Sequence, residues 1–340
     1  MLRFFGSFIT SFLFCFILYP FFIKKLVILK IKQNIRTYGP ITHFKKKNTP
    51  TMGGVIMLCS LIINSLLWLK LKNRFTICLL SCILWLGLLG IYDDYLKLTK
   101  DKKGLTIICK ITIQLIFALF ITIYLNYAPP NPNFANLIRI PFLKNFNINL
   151  SYMYPILLIL IIIGSSNAVN LTDGLDGLAI GNTIIVSIVL AILAYLASNR
   201  NIAKLINIIP IQGSEEISIF LMSIVGSGLG FLWYNIYPAE IFMGDSGSLF
   251  LGGILGLTAI LIKQELILLL LGGVFVIEAV SVIIQIYYYK KYNKRIFKMT
   301  PIHHHFEILG INEIKITIRF WILTIILSIF SILSIFYKVI

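Results

Sequence analysis

The sequence predicts an all-α polytopic membrane protein, a single integral membrane domain over residues 1–340, and three observations support this. Its 340 residues are 58% hydrophobic and only 13% charged, about half the charged share of a water-soluble globule. The apolar residues gather into runs suited to a hydrocarbon core of roughly 30 Å, which takes about 20 helical residues to cross. The cations, finally, are distributed unevenly between alternate connections, as expected where positive charge sets orientation.

Ten runs can be read, at 4–23, 53–69, 75–91, 105–125, 152–169, 178–196, 217–234, 249–262, 266–287 and 316–336. The first lacks a small-residue cleavage site and is followed by Lys24 and Lys25, so it reads as a retained helix rather than a removed signal peptide. The eighth is short, and Gly252, Gly253 and Gly256 predict a helix packed closely on its neighbours instead of facing lipid. The five cysteines lie in runs or at their edges with neither metal spacing nor a disulfide framework, and read as small apolar core residues. Residues 126–150 and 198–216 are polar connections without a recognisable reactive group.

Of the 30 Lys and Arg, 19 fall in three odd-numbered connections, 24–52, 92–104 and 286–319. Positive-inside therefore places the odd connections in the cytoplasm and, with ten spans, both termini on the periplasmic side. The net charge of +17 thus reports orientation in a membrane rather than affinity for nucleic acid. All six aspartates lie in these cytoplasmic connections or at the helix ends that enter them. Merely solvating charges would occupy both faces.

The adjacent pair Asp93 and Asp94 ends the third run, followed by Lys97, Lys100, Lys102 and Lys103. Neighbouring carboxylates repel, so a cation or a proton is expected to compensate them; a polar helix terminus is the plainer alternative. The segment from Asn167 to Gly177 sets Asn170, Asp173 and Asp176 among glycines that let the backbone turn or approach a ligand. Asp245, between Gly244 and Ser246 at the start of the eighth run, has the character of a ligand to a hard cation, since Mg²⁺ takes one or two carboxylates plus substrate phosphate oxygens. His303, His304 and His305 follow a basic stretch. Three consecutive imidazoles cannot all face one way on a helix, so two are expected to contact phosphate, and zinc spacing is lacking. Lys46 lies in a basic loop that turns Gly-rich at Thr49–Gly54. Glu278 sits inside the ninth run, where a carboxylate is costly, and its role stays open. Acids, lysines and histidines gathered at one membrane surface point to phosphoryl chemistry on a lipid substrate.

The motifs TPTMGG at 49–54, DDYLK at 93–97, NAVNLTDGLDGLA at 167–179, PAEIFMGDSGSLFLGG at 238–253 and PIHHHFE at 301–307 span nearly the whole chain. In these the sequence closely resembles the phospho-N-acetylmuramoyl-pentapeptide transferases of the polyprenyl-phosphate N-acetylhexosamine-1-phosphate transferase superfamily. The resemblance implies a multi-pass enzyme of the bacterial inner membrane that moves phospho-N-acetylmuramoyl-pentapeptide from UDP to undecaprenyl phosphate with Mg²⁺, giving lipid I and UMP. It implies that Asp245 binds Mg²⁺, and that Asp93 and Asp94 bind the metal or deprotonate the lipid phosphate. Asn170, Asp173, Asp176, Asn235 and Phe242 would form the nucleotide surface, Lys46, His303 and His304 would meet the diphosphate, and a homodimer is suggested. Sister transferases of N-acetylglucosamine-1-phosphate share the aspartate motifs but differ at TPTMGG and PIHHHFE. An ion-coupled transporter would need acids at the bilayer midplane on several helices, where Glu278 alone qualifies, and an internal repeat that is not apparent.

Overall fold

The computed structural model describes residues 2–29, 31, 49–99, 104–143 and 147–337. In the hydrocarbon region every backbone polar group must be satisfied within the protein, which leaves the helix as the economical conformation for each run. The helices are α1 (Leu2–Ile28), α2 (Gly54–Trp68), α3 (Arg74–Thr99), α4 (Ile107–Tyr127), α5 (Tyr154–Thr172), α6 (Leu178–Ser198), α7 (Arg200–Leu205), α8 (Glu215–Asn235), α9 (Asp245–Leu261), α10 (Glu265–Leu271), α11 (Gly273–Tyr292), α12 (Ile302–Ile308) and α13 (Glu313–Phe336). Eight of them are long and apolar enough to cross a membrane, and α2 and α9 are shorter apolar helices. The protein is therefore a multi-pass membrane protein.

Each of the ten runs corresponds to a helix, with two refinements. The ninth is broken: α10 ends at Leu271 and α11 begins at Gly273, because Gly272 and Gly273 stand side by side and neither favours helix continuation. In the connection before α5, β1 (Leu137–Arg139) and β2 (Asn147–Asn149) form a small antiparallel pair, a minor departure from a purely helical chain. The start of α4 is fixed by Thr106, whose hydroxyl accepts from the Cys109 amide, and that of α13 by Asn312, which accepts from the Ile314 amide.

The core forms where small residues let backbones meet. On α1 the buried positions Ser7, Ser11, Cys15 and Tyr19 recur every fourth residue, one stripe of a helix. This stripe packs on α8, where Ser7 donates to the Ile219 carbonyl at 3.0 Å. Such an interhelical bond contributes only about 0.6 kcal/mol in a membrane, so close backbone packing holds the pair together. Every residue of α9 after Asp245 is buried, as its glycines predict, against α3 and α5. Cys15, Cys78 and Cys82 are core residues, but Cys59 is exposed on the outward surface of α2, where lipid replaces a packing partner.

Candidate active site

Three helix ends meet at one end of the bundle. Gly54 opens α2, and a Cβ there would overlap the Gly247 backbone nitrogen; a Cβ on Gly90 of α3 would overlap the Asp245 carbonyl. Both glycines thus let α2 and α3 touch the first turn of α9. The preceding segment is stitched down by backbone bonds. The Phe242 amide donates to the Pro50 carbonyl at 2.8 Å, and the Gly53 and Gly54 amides donate to the Phe242 and Met243 carbonyls at 2.8 and 3.0 Å. The run from Thr49 to Gly54, whose lysine-rich approach sequence alone explains as a basic flank, is therefore a scaffold strap on the Asp245 loop. Phe242 belongs to the same strap through its backbone, with a half-buried side chain.

Asp93, Asp94 and Asp245 converge, with one oxygen from each lying within 4.8 Å of the others. Each is held differently. Asp93 is fully buried and accepts from the Leu105 amide at 2.6 Å. Asp94 caps α9 from across the interface, accepting from the Asp245 and Ser246 amides at 3.2 and 2.9 Å, where the positive end of the helix dipole favours a carboxylate. Gly244 makes room for it: its φ is +74°, and a Cβ would run into the Asp94 carboxylate. Asp245 accepts from the Asn170 side-chain amide at 3.1 Å, and that amide also reaches Ser248 at 2.8 Å.

Two ammoniums sit among these acids. Lys97 lies 2.7 Å from Asp93, 3.0 Å from Asp245 and 3.6 Å from Asp94. Lys110, one turn into α4, lies 2.7 Å from Asp93 and 2.5 Å from Asp245. Lys110 is a residue that motif reasoning passes over, although a cation embedded in an apolar run is expensive enough to signal a partner. Among the described residues three carboxylates meet two ammoniums, an excess of negative charge. An all-oxygen, acid-rich donor set of this kind suits a hard divalent cation, so the residues fit Mg²⁺.

The loop between α5 and α6 flanks the cluster. Asp173, half-buried and outside the spans, has its carboxyl pushed up to about 8 by desolvation and by the nearby carboxylates of Asp245, Asp94 and Asp176. Asp176 and Asn235 are 3% exposed and serve the scaffold. Asp176 accepts from the Ala239 amide at 3.0 Å while its own amide donates to Glu313 at 2.9 Å. Asn235 accepts from the Gly177 amide at 3.0 Å and donates to the Ile241 carbonyl at 2.8 Å. The two hold together the loops before α6 and α9.

The three histidines separate, as their spacing requires. His303 is fully buried, with Nδ1 3.0 Å from Glu278. His304 is partly exposed, with Nδ1 2.7 Å from Glu307. His305 accepts from the Lys298 amide at 3.1 Å. Lys46 lies outside the described residues.

Residues 76–263 match the family model described as glycosyl transferase family 4. Over its whole length the chain is similar to proteins named phospho-N-acetylmuramoyl-pentapeptide-transferase. That of Endomicrobium trichonymphae is 57% identical over 97% of this chain and 91% of its own. That of Thermodesulfovibrio yellowstonii is 48% identical over 96% and 91%, and that of Buchnera aphidicola 46% identical over 98% of both. With these likenesses covering the strap, the acid cluster and the histidine helix alike, the chain belongs to the phospho-N-acetylmuramoyl-pentapeptide-transferase family.

Proposed function

We propose that this chain transfers phospho-N-acetylmuramoyl-pentapeptide from its UDP carrier to undecaprenyl phosphate, forming lipid I and UMP, as one membrane domain of ten spans. In this reading the acid cluster faces the cytoplasm, both termini lie on the outer side and the bilayer is the bacterial inner membrane. The observation that carries the proposal is the meeting of Asp93, Asp94 and Asp245 with Lys97 and Lys110 at one end of the bundle. A lipid phosphate and a water-soluble nucleotide can reach each other only at such a surface.

The acceptor phosphate attacks the β-phosphate and UMP leaves, so one phosphoanhydride replaces another and the protein's work is to hold two mutually repelling anions in line. Asp245, with Asp93 and Asp94, would hold Mg²⁺, which supplies charge neutralisation at the transferring phosphoryl group. Lys97 and Lys110 keep the carboxylates together and present cationic charge to the incoming phosphates. Asn170 orients Asp245 by its amide bond. Asp173, Asp176, Asn235 and Phe242 shape the nucleotide side, and Lys46, His304 and His305 would meet the diphosphate and its substituents.

The test is UMP release by purified protein from UDP-N-acetylmuramoyl-pentapeptide and undecaprenyl phosphate, with and without Mg²⁺, beside Asp245→Asn and a UDP-N-acetylglucosamine control. Mg²⁺-dependent release confined to the muramoyl donor, and reduced at least about a hundredfold in Asp245→Asn, is expected. Release from UDP-N-acetylglucosamine alone would move the chain to the sister transferases, and release without any divalent cation would remove the metal from the mechanism.

A further inference from the structure

A carboxylate inside a membrane helix needs a reason, and Glu278 on α11 has a specific one. Although α11 exposes much of its surface to lipid, Glu278 itself is 0% exposed and its Oε2 lies 3.0 Å from Nδ1 of His303. Nδ1 is thus committed to Glu278, and the far edge of the imidazole is turned away from it. That edge is buried too. Among the described residues Nε2 has no hydrogen-bond partner, and it abuts Gly174, where a Cβ would overlap Nε2 and crowd Cε1. Gly174 follows Asp173 and lies two residues before Asp176, in the loop that flanks the acid cluster. His304 stands edge-on to the His303 ring at 4.1 Å between centroids, so the buried ring also backs its partly exposed neighbour.

A histidine that met the diphosphate directly would have to present a nitrogen to the space that the substrate enters. His303 presents none: one nitrogen is committed to Glu278 and the other is sealed beneath the loop. We propose that Glu278 and His303 form a positioning pair that sets the Asp173–Asp176 loop for the nucleotide donor, His303 acting through Gly174 instead of touching phosphate. The proposal rests on the transferase reading above and goes beyond it. It gives the intramembrane glutamate its task, divides the three histidines by role, and gives a reason for a residue without a side chain at position 174. Mechanically, α11 and α12 hold a wedge, and the loop between α5 and α6 lies on it. Burying an unpartnered Nε2 is costly, so the ring needs to be held from the opposite side, where Nδ1 meets Glu278.

The experiment compares Gly174→Ala, His303→Ala, the double variant Gly174→Ala/His303→Ala, Glu278→Gln and Glu278→Leu in the UMP-release assay. The muramoyl donor is varied so that kcat and KM separate, and each variant's fold is checked by thermal unfolding. Gly174→Ala is expected to raise the donor KM about tenfold with kcat changed less than about threefold. The double variant is expected to be no worse than His303→Ala, because removing the ring removes the overlap. Glu278→Gln, which keeps an oxygen for Nδ1, is expected between wild type and His303→Ala, and Glu278→Leu to match His303→Ala. Additive losses in the double variant, or His303→Ala lowering kcat at saturating donor with KM unchanged, would overturn the pair and put His303 on the reacting phosphates. Should Gly174→Ala fail to fold, the graded response of KM to the two Glu278 variants decides alone, and equal KM values in wild type and Glu278→Leu would overturn it. A wild-type protein silent with the muramoyl donor would instead overturn the transferase reading itself.

Discussion

Both ends of α9 carry buried ions, and they are built to opposite rules. At about 1.5 Å per residue the 17-residue helix separates them by roughly 25 Å. Among the described residues, three carboxylates share two ammoniums at the N-terminal end and the negative charge is in excess. Beyond the C-terminal end the balance is even. Lys263, 1% exposed, donates to Tyr154 at 2.6 Å and to the Ala135 carbonyl at 3.1 Å and lies 3.3 Å from Glu265, while Tyr154 donates to Glu265 at 2.6 Å. In this network the two opposite charges are matched, one to one. An unmatched one that is nevertheless held rigidly in place by backbone amides retains an electrostatic demand that a substrate or cation meets. In the transferase reading proposed above, burial of charge alone does not mark the site, and the imbalance of charge does.

If the contrast is real, the two ends will respond differently to the same kind of change. The largest effect on stability is expected at the balanced end: Lys263→Met strands Glu265 in the interior and is expected to lower stability by about 3–5 kcal/mol, read as thermal unfolding in detergent, with donor KM unchanged at a permissive temperature. A loss of turnover without loss of stability there would abolish the distinction. Lys110→Met at the other end is expected to cut turnover about a hundredfold while the unfolding temperature moves little, since Asp93 and Asp245 retain Lys97. Equal falls in both quantities would make Lys110 a structural cation like Lys263.

A third measurement sharpens the electrostatic claim. The Asp173 carboxyl titrates near 8 in the folded protein against about 4 when unfolded. The folded state therefore holds its proton more tightly, a contribution complete below about pH 4 and lost as pH rises through 8. In chelator, the wild-type unfolding temperature is expected to fall between pH 5 and 8, and Asp173→Asn to flatten that slope. Parallel curves for the two proteins would mean that the loop does not feel the acid cluster.

Much of this was legible in sequence because lipid imposes a simple grammar. Each of the ten apolar runs became helical, the ninth as two helices, and the gathering of aspartates in alternate connections anticipated the convergence of Asp93, Asp94 and Asp245, since helices that cross in alternation bring those connections to one face. What stayed hidden depends on distances that no spacing encodes. The cost of Glu278 was visible, but His303 lies 25 residues away, across a helix end and a loop. Lys110 looked like a stray charge because its partners sit on α3 and α9. Asp176 and Asn235 carry the polar character of nucleotide contacts, and no spacing shows that their side chains also bond the Ala239, Gly177 and Ile241 backbone of neighbouring loops. The break in the ninth run needed the weight of two adjacent glycines that hydropathy alone ignores.

The junction of α2, α3 and α9 has a consequence for resistance. At Gly54 and Gly90 the neighbour that a new side chain would strike is backbone, which cannot rotate aside as a side chain can. Every other amino acid at either position therefore pushes helices apart beneath the acid cluster. A compound that depends on the close approach of these helices would leave its target few substitutions at Gly54 or Gly90 by which to escape. One relying on the lipid-facing side chains of α11 would meet a surface free to vary.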